Sequence, residues 1–220
     1  MKKSNNLASH EKPDGRSTNH RSPRPHRSLR TAGMGKRPIV AVFGSSQPRR
    51  TDELYKSSLL MGALLGRSGF DVMTGGYTGV MEAVSRGAQA NGAHVIGVTM
   101  ARFEDRVNRY VLDEVRTSNF YERFRWLVDR ADAYVAMGGG IGTLAEVTFT
   151  WQELQLGMVS KRPLVLVGPR WRALFKCFAE QLIPTPGIFE PMTLVDTPDQ
   201  AAEFLRESFA LEPHPPRASI

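Results

Sequence analysis

A doubly wound α/β fold, a parallel sheet with helices on both faces, is the class that the sequence predicts. Three observations carry it. Short continuous apolar runs alternate with stretches of helical periodicity along residues 38–209, the pattern of strands buried on both faces. Three of those runs end in turns of small residues that lead into helices. The chain has 220 residues, of which 41% are apolar and 23% charged, enough for one ordinary globular domain with a tail.

The elements follow in order. Pro38 to Phe43 is a β-rich run that ends at Gly44-Ser45-Ser46. Asp52 to Arg67 places Leu54, Leu60, Ala63 and Leu64 at helical spacing and stops at Gly69. Phe70 to Thr74 is a strand closed by Gly75-Gly76, and Val80 to Ala90 a helix that Asn91-Gly92 ends. His94 to Val98 is the third strand. Residues 100–117 have no clear period and read as a long loop. A helix over Phe120 to Asp129 precedes a strand over Ala133 to Met137. Gly138 to Thr143 then leads into a helix from Leu144 to about Leu156. Leu164 to Gly168 is a strand, Arg172 to Leu182 a helix, Met192 to Val195 a short strand, and Asp199 to Phe209 the last helix.

The net charge of +7 belongs to one end of the chain. Residues 1–37 hold ten Lys or Arg against Glu11 and Asp14, and the rest holds 19 basic and 20 acidic groups. The stretch from Ser17 to Arg30, with one leucine, cannot bury enough apolar surface to offset its ordering entropy. Residues 1–36 are therefore expected to be a disordered basic tail, 37–211 the folded domain, and 212–220, with three prolines, a flexible end. The tail reads either as a contact for nucleic acid or an anionic surface, or a targeting peptide, or as a solubilising segment without a fixed partner. The composition favours the last. A nucleic-acid partner would depend on this tail.

Several classes are not expected. No apolar run approaches the ~20 residues of a membrane span, and the N-terminus has no apolar signal region. The single Cys177 cannot form an internal disulfide. The five histidines offer no metal spacing with it. The expectation is a soluble cytoplasmic protein without a metal. Lys56, Lys161 and Lys176, the lysines beyond residue 37, stand in no setting for a pyridoxal Schiff base.

Ligands of open α/β sheets bind outside the carboxyl ends of the strands, where the glycines lie. Glycine permits a positive φ and close approach of an anion to the main chain. The first amides of a helix lack intrahelical partners and carry the positive end of its dipole. Ser45, Gly75, Gly76, Gly79, Gly139, Gly140, Gly142 and Thr143 are thus expected to line a phosphate cradle, with Thr143 adding a hydroxyl and capping its helix. One such turn would signify only a tight bend; three at one sheet edge point to a phosphate-bearing ligand. Neither a Gly-x-x-x-x-Gly-Lys-[Ser/Thr] loop nor Gly-x-Gly-x-x-Gly after the first strand is present, which argues against ATPase and NAD-dependent chemistry.

Gly139-Gly140-Ile141-Gly142-Thr143-Leu144-Ala145-Glu146 resembles the Pro-Gly-Gly-x-Gly-Thr-x-x-Glu motif of the LONELY GUY family. Thr74 to Ala83 resembles its Thr-Gly-Gly-Gly-Pro-Gly-[Ile/Val]-Met-Glu-Ala signature, and Val42 to Ser46 its opening strand and turn. Arg123 falls where the family has the arginine of Met-x-x-Arg-Lys. The resemblance covers about Ile39 to Gly187. It implies a Rossmann-like fold, a cytokinin riboside 5′-monophosphate phosphoribohydrolase activity without a cofactor, and Arg123 and Glu146 as the residues of the chemistry. The sequence departs from the motifs at Phe124 (lysine), Gly138 (proline), Ala145 (acid), and Tyr77 and Thr78 (glycine and proline).

Cleavage of an N-glycosidic bond builds positive charge on the ribose. A carboxylate beside the ring stabilises that charge and orients or deprotonates water. Arg123 can hold phosphate or keep Glu146 ionised. Read without the resemblance, Glu146 is a first-turn acid facing its helix dipole and Arg123 a solvated helix residue. The alternative function is a non-catalytic nucleotide or phospholigand binder on the same fold. Ser45 and Glu82 are lesser candidates, and Glu82 is expected to complement its helix N-terminus. Trp126, Trp151 and Trp171 are expected in the core or an interface, Cys177 buried, and His94 without a partner. The helices around Arg123 and after Thr143 carry more apolar positions than one face needs, including Phe120, Phe124, Phe149 and Leu154. With the resemblance, this points to a two-fold homodimer.

Overall fold

The computed structural model describes residues 37–103, 106–183 and 186–210. The expected tail over 1–36, residue 211 and the expected end over 212–220 lie outside the described residues. Within them, seven parallel strands form one sheet in the order β4-β3-β2-β1-β5-β6-β7. The strands are β1 (Ile39–Phe43), β2 (Asp71–Thr74), β3 (Val95–Met100), β4 (Asp113–Thr117), β5 (Ala133–Ala136), β6 (Leu164–Val167) and β7 (Met192–Val195). The helices are α1 (Glu53–Arg67), α2 (Val80–Ala90), α3 (Phe120–Asp129), α4 (Ile141–Gln155), α5 (Pro169–Gln181) and α6 (Pro198–Ser208). The Rossmann-like class expected from the sequence is the fold observed. No described helix is long and apolar enough to cross a membrane.

Alternation along each strand builds the two layers. Val40 and Val42 face α1, α2 and α6 through Met61, Leu65, Val84 and Leu205. Their neighbours Ala41 and Phe43 face α3, α4 and α5 through Leu127, Val147, Trp151 and Phe175. Both faces of β1 are therefore dry, as its continuous apolar run requires.

Three boundaries differ from expectation by more than two residues, one of them the start of α5, at Pro169 rather than Arg172. The segment read as a loop over 100–117 ends in β4, which pairs in parallel with β3 from Asp113 to Thr117. This edge strand buries only Val115 and Thr117 and exposes Glu114 and Arg116. It has no apolar run to betray it. Helix α4 begins at Ile141 rather than Leu144, so Gly142 and Thr143 lie inside its first turn. The glycine run hid a start that Gly140 provides as N-cap.

Strand order reverses between β1 and β5, so the crevice beyond their carboxyl ends is the switch point of the sheet. The loops after β1 and β5 meet there. Ser45 donates its amide to Gly138 O at 3.2 Å, and Val80 donates to Ser45 O at 2.8 Å.

Helices α1 and α2 pack backbone to backbone through two glycines. A Cβ on Gly62 would lie 2.1 Å from Val84 O, and one on Gly87 2.1 Å from Leu59 O. Gly87→Ala would gain about 1 kcal/mol of helix propensity. The contact is with a carbonyl that no rotamer change can move, and overpacking of this kind costs about 1–3 kcal/mol or more. We expect a net loss of about 2 kcal/mol by urea denaturation; a midpoint at or above that of the unsubstituted chain would refute the close contact.

Candidate active site

Arg123 and Glu146 come together as a buried pair. Arg123 Nη1 donates to Glu146 Oε1 at 3.0 Å, and both side chains are about nine-tenths buried. The Nε of Arg123 donates to the Val98 carbonyl at 2.9 Å. The guanidinium thus ties α3 to the end of β3 and to α4. Space for it comes from Gly75, where a Cβ would stand 1.9 Å from Arg123 Nη2.

Neither Arg123 Nη2 nor Glu146 Oε2 has a protein partner, yet no fully buried side-chain N or O among the described residues is left unsatisfied. Both atoms therefore open to solvent, and the pair presents one donor edge and one acceptor oxygen outward. Burial pushes the Glu146 carboxyl above its ordinary range, and Arg123 opposes that by Coulombic attraction and its hydrogen bond. The result is a carboxylate more basic than usual with a cation at hand.

The helices holding this pair have different N-termini. Asn119 caps α3 by accepting from Glu122 N at 2.9 Å. Gly140 gives α4 no side-chain cap, and Gly79 gives α2 none. Around α4 the opening is unobstructed. Gly139, Gly140, Ile141 and Gly142 are exposed, and a Cβ on Gly140 or Gly142 would meet nothing within 4 Å. Uncapped amides on open ground at a helix N-terminus suit an anion.

Other expected residues are placed differently. Thr143 is buried at the third helical position, its side chain against Gly139, and does not cap α4. Gly75, Gly76 and Gly79 are buried. Gly76 donates its amide to Thr74 Oγ1 at 3.1 Å, and its carbonyl accepts from Asn108. Gly79, at φ 67°, packs on the Ser45 and Ser46 main chain. These three shape the second loop, while the open cradle is formed by the third. Ser45 is half-buried, and its Oγ accepts from Gln47 N at 3.1 Å.

Glu82 does more than face its helix dipole. It pairs with Arg50 at 2.6 Å and accepts from Tyr55 Oη at 3.3 Å. His94 has a partner, Asp113, at 2.8 Å. Cys177 is exposed rather than buried, because the side of α5 that meets the sheet is taken by Trp171 and Phe175. Trp151 and Trp171 are core residues, and Trp126 is half-buried.

Phe124 does not take a lysine's place at the pair. Its ring lies 5.5 Å from that of Phe149 on α4. Beside it Arg125 pairs with Glu153 at 2.6 Å. Consecutive residues 123, 124 and 125 thus engage 146, 149 and 153, one face of α4. Sequence reasoning missed this stitching, for which the 3- and 4-residue spacing on α4 was the available signal. A concavity of about 450 Å³ lies elsewhere, among Phe178, Leu182, Ile188 and Phe189 beside α5. It is apolar apart from Glu190 and brings no set of reactive groups together, so the open cradle is the better site.

Arg123→Met leaves burial alone acting on Glu146, and its carboxyl should titrate higher still. A carboxyl whose folded value is raised adds stability below its ordinary 4.5. That contribution is lost as pH rises through the folded value. The variant should lose about 3 kcal/mol at pH 8, as when a buried pair loses one partner, and clearly less at pH 4. Denaturant midpoints across this range check it; an equal loss at both ends would show that Glu146 is not the cause.

The comparisons with known proteins follow the same lines. The profile of the SLOG cluster4 family matches residues 37–169. The cytokinin riboside 5′-monophosphate phosphoribohydrolase of Mycobacterium tuberculosis is 29% identical over 165 residues, covering 71% of this chain and 87% of that protein. Its namesake from Mycobacterium marinum is 34% identical over 129 residues, covering 58% and 69%. Among solved structures, the molybdenum cofactor binding protein of Rippkaea orientalis superposes with a TM-score of 0.65 at 23% identity, covering 79% of this chain and 98% of that one. The molybdenum cofactor carrier protein of Chlamydomonas reinhardtii gives 0.61 at 22%, covering 80% and 99%. At these identities the two structures speak for the fold alone. Profile and curated relatives agree with the paired glycine motifs: the chain belongs to the SLOG cluster4 family of LONELY GUY-type proteins.

Proposed function

We propose that the protein hydrolyses the N-glycosidic bond of a nucleoside 5′-monophosphate, of the AMP or cytokinin riboside monophosphate type, to free base and ribose 5-phosphate. The observation that carries the reading is the buried Arg123–Glu146 pair beside an uncapped, unobstructed α4 N-terminus. The phosphate sits on the first amides of α4 and accepts from Arg123 Nη2. Glu146, in the second turn of the same helix, then faces the ribose.

Bond breaking sends the C1′–N electron pair to the base, which takes up a proton from solvent, while positive charge grows on the ring and the proton later drawn from the attacking water returns to solvent. The Glu146 carboxylate stabilises that charge and accepts a proton from the attacking water as its oxygen bonds to C1′. Its raised proton affinity, which comes from burial, favours that transfer, and the charge of Arg123 opposes its protonation beforehand. No cofactor is needed for these steps.

A non-catalytic phospholigand carrier is the second reading. It is favoured by the absence of a further cation at Phe124, whose ring packs on Phe149. Turnover separates the two. Glu146→Gln should keep nucleotide binding and lose cleavage by about a hundredfold or more, read as released base by chromatography. AMP should be cleaved far better than adenosine. Unchanged turnover in the Gln variant would remove Glu146 from the mechanism, and equal use of adenosine would remove the phosphate cradle. A wild-type chain that binds AMP without releasing adenine would favour the carrier.

We also propose a two-fold homodimer through the outer surface of α3 and α4. Leu127, Val128, Val147 and Trp151 fill the chain's own core. Tyr121, Leu156 and Met158, at 69%, 63% and 65% exposure, remain outside and uncovered. Light scattering after size exclusion should give about twice the 24.5 kDa chain mass; a monomer at micromolar concentration would sink the dimer.

A further inference from the structure

Five aromatic rings run in a line from the second glycine loop across α3 to α4. Tyr77, Phe103, Phe120, Phe124 and Phe149 follow one another with centroids 5.7, 5.8, 6.1 and 5.5 Å apart. The inner end is fixed. The Tyr77 hydroxyl accepts from Met100 N at 2.8 Å and donates to Met100 O at 3.4 Å. Asn108 donates to the carbonyls of Gly76 and Tyr77, both at 3.0 Å, and so ties the β3–β4 loop to the glycine loop. In the middle of the line, Phe103 is 37% and Phe120 53% exposed. Their rings meet edge to face at 73°, and their exposure leaves aromatic surface uncovered.

This bare aromatic surface adjoins the candidate site. Phe120 stands one helical turn before Arg123 on α3. Tyr77 belongs to the same loop as Gly75, against which the Arg123 guanidinium lies. We propose that Phe103 and Phe120 form a stacking platform for the heteroaromatic base of the 5′-phosphorylated ligand, with the α4 N-terminus taking its phosphate. The platform rests on the phosphate-cradle reading and adds what selects the base. A π face accepts any base, so recognition follows stacking area rather than a pattern of donors and acceptors. The ligand class is a nucleoside 5′-monophosphate with broad tolerance, purines ahead of pyrimidines. Continuity with Tyr77 and Arg123 is what assigns a base to these rings rather than a second protein chain.

Titration calorimetry of the full chain carrying Glu146→Gln, which should bind without cleaving, with AMP, CMP and ribose 5-phosphate tests it. AMP should bind more tightly than CMP, and ribose 5-phosphate, which keeps the phosphate and lacks the base, should bind more weakly than both. Phe103→Ala and Phe120→Ala should each weaken AMP about tenfold to a hundredfold and leave ribose 5-phosphate unchanged. Phe103→Tyr, which retains the π face, should restore AMP binding. Thermal unfolding of each variant reports whether the fold is kept. If an alanine variant does not fold, Phe103→Leu, which keeps apolar bulk without a π face, takes its place with the same expected loss. Unaltered AMP affinity in the variants, with ribose 5-phosphate still bound, would overturn the platform and leave the cradle standing. Failure of the Glu146→Gln chain with both rings intact to bind either AMP or ribose 5-phosphate would overturn both. A parallel loss of AMP and ribose 5-phosphate in the folded variants would overturn base stacking in favour of a general role in shaping the loops.

Discussion

The arrangement of the candidate site depends on one guanidinium that is about nine-tenths buried. Arg123 reaches from α3 to the Val98 carbonyl in β3 and to Glu146 on α4. A cation in that position is costly unless its partners are fixed. The strand end, the missing side chain at Gly75 and the carboxylate together meet that condition. Because the three partners come from β3, the β2–α2 loop and α4, the pair measures whether all three have assembled. A loosened α4 would strand the arginine, and a displaced α3 would leave Glu146 buried without its counter-charge.

Much of this was legible in the sequence. Helices α2 and α3 and strand β7 have the bounds that periodicity gave, because each is flanked by clear punctuation such as Asn91-Gly92. The paired carboxylate and arginine were legible only through motif resemblance; 23 residues of separation say nothing of a 3.0 Å contact. Strand β4 was not legible because an edge strand with charges on its open face lacks the apolar run of a central one. The start of α4 was obscured by glycines, which signal turns even where they occupy helical positions. For the same reason Thr143 is not the cap that the glycine run suggests: the cap is Gly140, three residues earlier.

The role of Phe124 illustrates how a departure from a motif can be absorbed. Where a lysine would add charge, the ring instead joins Phe149, and the next residue supplies a cation to Glu153. The contact between α3 and α4 then alternates ion pair, ring pair and ion pair along one face. The Arg125–Glu153 ion pair is only partly buried, so solvent still screens it. Its geometry nevertheless fixes the helix rotation that the buried pair requires.

The two bare glycines of α4 separate two kinds of selection that usually act together. Most glycines near the cradle are obligatory for folding: Gly75 clears a guanidinium, and Gly79 combines a positive φ with main-chain contact. Gly140 and Gly142 have neither constraint, since their backbone angles suit any residue and the space above them is empty. The fold alone would let alanine drift into both positions. Among related chains, retention of glycine there therefore records the footprint of whatever approaches the main chain from outside, while retention at Gly75 records only architecture. An alignment of relatives can thus be divided, position by position, into a history of folding and a history of binding.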